Sequence, residues 1–99
     1  MKTVRENTKQ AQVIEDNYRT LPSWKEHGLH TRYKSYSYKK QQAYDDRLRR
    51  ARNYGTILDI KGTGNIDFFT LYIGVDCGNN ERIIIKETAS NTLILKANI

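Results

Sequence analysis

The chain has 99 residues, of which 37% are hydrophobic and 28% are charged, with a net charge of +6. These values predict one small domain, 1–99, and exclude a wholly disordered chain. The longest uninterrupted apolar runs, such as residues 83–85, have three residues, which is too short to cross a bilayer. Cys77 is the only cysteine, so an intramolecular disulfide is excluded. A single cysteine suits a reducing compartment, and the first eight residues resemble no signal peptide. We therefore expect a cytoplasmic protein.

The positive charge is concentrated in the first half of the chain. Residues 1–54 hold 13 Lys/Arg and 6 Asp/Glu, a net of +7, whereas residues 55–99 hold 4 and 5, a net of −1. Residues 29–54 alone hold 8 basic and 2 acidic side chains. A concentrated positive surface attracts anionic partners. We therefore expect nucleic acid, a nucleoprotein complex or an acidic protein surface as the partner, and no membrane.

The first predicted element is a helix over residues 4–20. Thr3 and Glu6 have the spacing of a capping box, and Pro22 disfavours helix continuation. Apolar residues recur at three-, four- and seven-residue intervals, which places them on one side of a helix. These residues are Val4, Ala11, Ile14, Tyr18 and Leu21.

The second predicted helix covers residues 38–53. Ser37 is a favourable N-cap, and Gly55 is suited to the position after the helix. Asp46 and Arg50 are four residues apart and are expected to pair on the helix surface. The apolar stripe is narrow and consists of Tyr44, Leu48 and Ala51.

After Gly55 the apolar period changes from helical to alternating, which predicts a four-stranded antiparallel meander. The predicted strands are 56–61, 67–76, 81–88 and 92–98. The chain thus divides into a basic helical half, 1–54, and a meander half, 55–99. The predicted fold class is α+β, with both helices packed on the sheet.

Alternation along the strands assigns residues to the two faces of the sheet. The face that we expect the helices to cover contains Phe69, Leu71, Ile73, Val75, Ile83, Ile85, Leu93 and Leu95. The opposite face carries Phe68, Tyr72, Ile84 and Ile94. This second face is more apolar than a solvated face needs to be, so we expect a second layer or a partner to cover it. A homo-oligomer stays open as one such partner.

A basic aromatic run is the main functional feature of the sequence, and it extends from Thr31 to Lys40. Lysine and arginine neutralise phosphates, while tyrosine rings can stack on unpaired bases. The four arginines of the second helix extend the run, although a 100° wheel spreads them around the apolar stripe. The candidate binding residues are Arg32, Tyr33, Lys34, Tyr36, Tyr38, Lys39, Lys40, Arg47, Arg49, Arg50 and Arg52. A solvated basic surface is the alternative interpretation.

Catalytic, metal and cofactor chemistry have little support in the sequence. His27 and His30 are three residues apart, but Gly28 interrupts a continuous helix and no other zinc ligand is near. Cys77 lies in a predicted turn without a nucleophile signature. We therefore predict no metal, no cofactor and no enzymatic activity, and binding that depends on phosphate contacts.

The helix–helix–meander order resembles bacterial toxin ribonucleases of the RelE/ParE type. That resemblance implies metal-independent RNA cleavage by basic groups and a histidine. Two features of this sequence differ from the pattern. No strand is predicted before the first helix, and Lys96 is the only basic or histidine residue of the last predicted strand.

The composition of the basic run provides another alternative. The segment 32–36, Arg-Tyr-Lys-Ser-Tyr, is similar in composition to segments of some anti-CRISPR proteins, and small basic chains of this kind are common in phages and mobile elements. The similarity implies an inhibitor that contacts a nuclease–guide complex. Three interpretations therefore stand: a nucleic-acid or nucleoprotein binder, an inhibitor acting by protein contact, and a toxin-type ribonuclease.

Overall fold

A computed structural model describes residues 2–4, 9–23, 38–63, 70–88 and 91–96. Five strands and two helices lie within these residues, and the α+β class is confirmed. In chain order they are β1 (Lys2–Val4), α1 (Lys9–Thr20), α2 (Tyr38–Arg52), β2 (Thr56–Thr63), β3 (Thr70–Gly78), β4 (Glu81–Glu87) and β5 (Thr92–Lys96).

β1 is a strand that the sequence did not predict, and it overlaps the predicted helix 4–20 only at Val4. β1 pairs in parallel with β5, so that Lys2 lies opposite Leu93 and Val4 opposite Leu95. The described part of the helix predicted over 4–20 is Lys9–Thr20, and residues 5–8 lie outside the described residues. A strand of three residues is too short to show alternation, and its partner lies at the other end of the sequence. The local capping spacing consequently pointed to the wrong element.

The other four strands form the predicted antiparallel meander. The order across the sheet is β1-β5-β4-β3-β2. The tight turn between β3 and β4 contains Asn79 and Asn80, whose φ angles are 55° and 63°. Two consecutive residues with positive φ are typical of the type I′ turn, which matches the twist of paired strands. The meander prediction is confirmed.

The two helices pack on opposite faces of the sheet, whereas the sequence analysis expected one covered face. One cluster joins α2 to alternate strand residues: Tyr44, Leu48, Ala51, Ile60, Leu71, Ile73, Val75, Ile83, Ile85 and Ile94. The other cluster joins α1 to the residues between them: Ala11, Ile14, Tyr72, Ile84, Leu93 and Leu95. The sheet is thus a middle layer, and α1 supplies the second layer that the apolar opposite face requires.

The assignment of β5 to faces was wrong by one residue. Ile85 lies opposite Ile94, so Ile94 belongs to the face under α2. Leu93 and Leu95 belong to the face under α1. Alternation gives two equivalent assignments for a strand whose residues are all apolar, and a shift of one residue exchanges its faces. The register therefore had to come from the pairing with β4.

Gly74 of β3 lies directly beneath the side chain of Tyr18 from α1. A Cβ atom built on Gly74 would lie 2.2 Å from the Tyr18 hydroxyl oxygen and 2.6 Å from its Cζ. The Tyr18 ring therefore occupies the space that a side chain on β3 would take. Glycine at position 74 therefore leaves room for the Tyr18 ring against the strand.

We predict that Gly74→Ala destabilises the protein by about 1–3 kcal/mol, because the methyl group must displace Tyr18. The free energy of unfolding, measured by chemical denaturation, tests this. In a Tyr18→Ala background the same methyl group has space, so the cost of Gly74→Ala should fall sharply. An equal cost in both backgrounds would show that the ring does not limit this position.

Candidate nucleic-acid interface

The apolar stripe of α2 fixes the orientation of the basic helix on the sheet. Tyr44 and Ala51 are fully buried and Leu48 is 4% exposed. The helix ends at Arg52, and the chain then passes close to β3 at Gly55. A Cβ atom at Gly55 would lie 2.1 Å from the Asp76 carbonyl oxygen, so this close approach also requires glycine. The helix is therefore held along its apolar stripe and again just beyond its C-terminal end.

The predicted binding residues fall into two groups. The helix α2 contains Tyr38, Lys39 and Lys40 in its first turn, and their side chains lie outside the described residues. It also contains the four arginines of its second half. Arg32, Tyr33, Lys34 and Tyr36 lie outside the described residues. Among the candidate binding residues, only the four arginines of α2 have described side chains, so the geometry of the interface is taken from them.

The four arginines divide between the solvent side of α2 and the side that meets the sheet. Arg49 and Arg52 are exposed. The Arg49 side chain is 72% exposed, and its Nη1 lies 3.4 Å from Asp46 Oδ1. Such an exposed pair contributes little stability. The wheel predicts this spread, so no single surface presents all four guanidinium groups.

Arg50 turns towards the sheet and binds a buried carboxylate. Its Nε donates to Glu87 Oε2 at 3.1 Å, and its Nη2 donates to Glu87 Oε1 at 3.2 Å. The Glu87 side chain is 1% exposed, and Thr92 Oγ1 also donates to Glu87 Oε1. A buried carboxylate is stable only with such partners. The surface pair expected between Asp46 and Arg50 is replaced by this internal pair.

Arg47 joins α2 to the end of β4. Its Nη2 donates to the Thr88 carbonyl oxygen at 3.2 Å, and its Nη1 donates to the Ala43 carbonyl oxygen at 2.7 Å. Burial lowers the pKa of Arg47 from its ordinary value, Glu87 opposes that shift, and the nearby charge of Arg50 adds to it. Arg47 therefore acts mainly as a connection between the helix and the sheet.

Glu87 is the site residue that the sequence analysis missed. It continues the alternate positions Ile83 and Ile85 on the face under α2, so alternation alone placed a carboxylate against the basic helix. The signal in the sequence was a charged residue, Glu87, at a position that alternation assigns to the same face as core residues. Its interpretation required knowing that α2, and not solvent, covers that end of the face.

The structure places the described residues of the predicted apolar partner surface in the two buried clusters. Tyr72 and Ile84 are buried against α1, with exposures of 4% and 0%. The Tyr72 hydroxyl also accepts a hydrogen bond of 2.8 Å from Asn17 Nδ2 on α1. Ile94 lies on the other face, and Phe68 is outside the described residues. The described members therefore do not form one exposed patch.

Three lysines of the second half have contacts with residues of the sheet or of α1. Lys61 Nζ lies 3.6 Å from Asp59 Oδ2 and 5.8 Å from the centre of the Tyr18 ring. Lys86 Nζ lies 6.0 Å from the Tyr72 ring centre, and Lys96 Nζ lies 3.4 Å from Glu81. Because these lysines already have such contacts, we assign the candidate interface to the basic half of the chain, residues 1–54.

The described residues contain no group of three or more His, Cys, Asp or Glu side chains that could hold a metal ion. Burial raises the pKa of the Cys77 thiol, and the charges of Glu81 and Asp76 raise it further. This direction is opposite to the one that activates a cysteine nucleophile. In the same part of the chain no helix is long and apolar enough to span a membrane.

Comparisons with protein-family models, with curated proteins and with solved structures find no match for this chain. The function is therefore argued from the residues and their geometry.

We predict that Arg50→Ala destabilises the fold by about 3 kcal/mol, because it leaves the Glu87 carboxylate buried without its cation. Arg49→Ala removes the same charge one residue away and should change stability by less than about 0.5 kcal/mol. Denaturant unfolding of both variants tests the pair. Equal, small effects would mean that the Arg50–Glu87 pair contributes no stability.

Proposed function

We propose that this chain is a small non-enzymatic protein that binds nucleic acid or a nucleoprotein complex through residues 32–52. The observation that carries the proposal is that the four arginines of α2 make two different kinds of contact. Arg47 and Arg50 fasten the helix to β4, whereas Arg49 and Arg52 remain exposed on its last turns. A rigid helix with exposed arginines can meet a polyanion at little cost in conformational entropy.

The mechanism rests on phosphate neutralisation. Arginine presents several N–H donors to phosphate oxygens, and binding releases counterions from the nucleic acid. The tyrosines at 33, 36 and 38 would add stacking on unpaired bases. Contacts of both kinds are largely independent of base sequence, so we expect strong salt dependence and weak sequence preference.

The net charge of the exposed face of α2 favours its two ends as the contact points. Asp45 is exposed and Asp46 is half-buried in the middle of the helix, between Lys39 and Lys40 on one side and the terminal arginines on the other. Aspartates repel phosphates, so the polyanion should avoid the middle of the exposed face. Arg49 and Arg52 are thus the described side chains best placed for direct contact.

We predict that Arg49→Ala with Arg52→Ala weakens nucleic-acid binding about tenfold and lowers the salt slope by roughly 1.5–2, because two phosphate contacts are lost. Fluorescence anisotropy with labelled single- and double-stranded RNA and DNA measures both. The matched control is Lys9→Ala with Arg19→Ala, which removes two exposed charges from α1. Equal losses in the two double variants would show that only net charge matters.

An inhibitor that acts by protein contact would behave differently in the same assay. It would bind free nucleic acid weakly, and both double variants would then be uninformative for RNA. Its affinity would instead appear for an assembled nuclease–guide complex. Tight binding to that complex with no binding to its isolated RNA would replace the direct-binding proposal by the inhibitor.

A toxin-type ribonuclease is favoured by one specific observation. β1 supplies the strand before the helices that the sequence analysis did not predict, and it extends the sheet beside β5. Lys96 is the described cation at the end of β5, and it is 65% exposed and 3.4 Å from Glu81. This candidate requires RNA cleavage without added metal.

If the chain is a ribonuclease, labelled RNA incubated with the protein and a chelator should be shortened, and Lys96→Ala should slow cleavage. The non-enzymatic proposal predicts intact RNA after long incubation at protein concentrations that saturate binding. Cleavage that persists in Lys96→Ala and co-purifies with the protein would overturn the non-enzymatic proposal while placing the active group elsewhere.

A further inference from the structure

The hydrogen bonds of Arg50 leave one side of its guanidinium group available. A guanidinium carries five N–H donors in a fixed plane. Arg50 directs Nε and Nη2 to Glu87. Among the described residues no acceptor receives a hydrogen bond from its Nη1. The contact with Glu87 therefore uses the Nε–Nη2 edge of the guanidinium group and leaves Nη1 without a described acceptor.

The exposures of the two partners differ in a way that matters for ligands. The Arg50 side chain is 43% exposed, while the Glu87 side chain is 1% exposed. The carboxylate lies below the surface, while part of the Arg50 side chain remains in contact with solvent. Glu87 thus holds the side chain of Arg50 in one rotamer without covering it.

We propose that Glu87 is a positioning residue, which fixes the Arg50 guanidinium so that its Nη1 group binds a backbone phosphate of nucleic acid. This inference rests on the proposed function and narrows it to one preorganised contact at the flank of α2. A flexible surface arginine loses side-chain entropy when it binds phosphate, whereas Arg50 has already lost it on folding.

The local charge suits a singly charged phosphodiester. Arg47, Arg49 and Arg50 contribute three positive charges, while Glu87 and Asp46, which acts on Arg47 and pairs with Arg49, contribute two negative charges, a local net of +1. Arg47 is fastened to Thr88 and Ala43, so its charge is also fixed in place. A phosphodiester carries one negative charge and would neutralise the site.

The positions of Arg47 and Arg50 along α2 relate them to the two lysines of its first turn. Lys40 precedes Arg47 by seven residues, and Lys39 precedes Arg50 by eleven. These intervals are close to two and three helical turns, at about 1.5 Å per residue. A nucleic acid that contacts both ends of α2 could therefore meet a lysine of the first turn and Arg50 near the last turn.

The test compares two lysine substitutions that keep the charge. Lysine cannot hold Glu87 with two donors and still present a fixed donor to a phosphate. We expect Arg50→Lys to weaken binding to a short labelled single-stranded RNA by about five- to tenfold. Arg19→Lys, the matched control at an exposed arginine of α1 outside the proposed interface, should stay within about twofold. Thermal unfolding confirms that both variants are folded.

Glu87→Gln distinguishes positioning from simple electrostatics by its sign. Loss of a negative charge near the interface would strengthen RNA binding if charge alone mattered. If Glu87 positions Arg50, the substitution should weaken binding, because an amide accepts only one of the two hydrogen bonds. Stronger binding by this variant would overturn the positioning role.

The unmodified protein provides a measurement that does not depend on a variant folding. Heteronuclear NMR of arginine side chains should show the Arg50 Nε–H resonance shifting when the same RNA is added. RNA binding without that shift, or equal losses in the two lysine variants, would reject the inference and leave the proposed function standing. Absence of any RNA binding by the unmodified protein would reject both.

Discussion

The central strands β3 and β4 are buried on both faces, and the sheet therefore needs two covering layers. Tyr72 and Ile84 are covered by α1, while Ile73 and Ile85 are covered by α2. Each large apolar side chain contributes about 1.5–3 kcal/mol when it is buried, so neither face can be left in water. The two helices lie on opposite sides for this reason, and Gly74 leaves room for the Tyr18 ring of α1 on its face.

This constraint also decides what the arginines of α2 can do. The apolar stripe of α2 is narrow, so residues at its margin reach the sheet as well. Arg47 and Arg50 lie at that margin and bind Thr88 and Glu87. Arg49 and Arg52 remain exposed, and Arg49 contacts only the helix's own Asp46 among the described residues. In the function that we propose, the helix divides its charge between holding the fold and binding a partner, and Arg50 would serve both.

Much of the fold could be predicted from the sequence because its signals are local. The stripe of Tyr44, Leu48 and Ala51 and the alternation of the meander depend on neighbouring residues. β1 and the register of β5 could not be predicted, because both depend on pairing between distant parts of the chain. The candidate site divides in the same way. The basic residues were evident from composition, whereas the role of Glu87 required knowing which helix covers the end of β4.

The salt dependence of nucleic-acid binding by the unmodified protein tests the central claim most directly. The account predicts binding to single-stranded RNA or DNA with roughly 4–6 phosphate contacts, which corresponds to a slope of about −3 to −4 in log affinity against log salt. Tyrosine stacking would make single strands the preferred ligand over duplexes. No binding at low salt, or an affinity that does not change with salt, would contradict the claim that the basic half of this chain binds a polyanion.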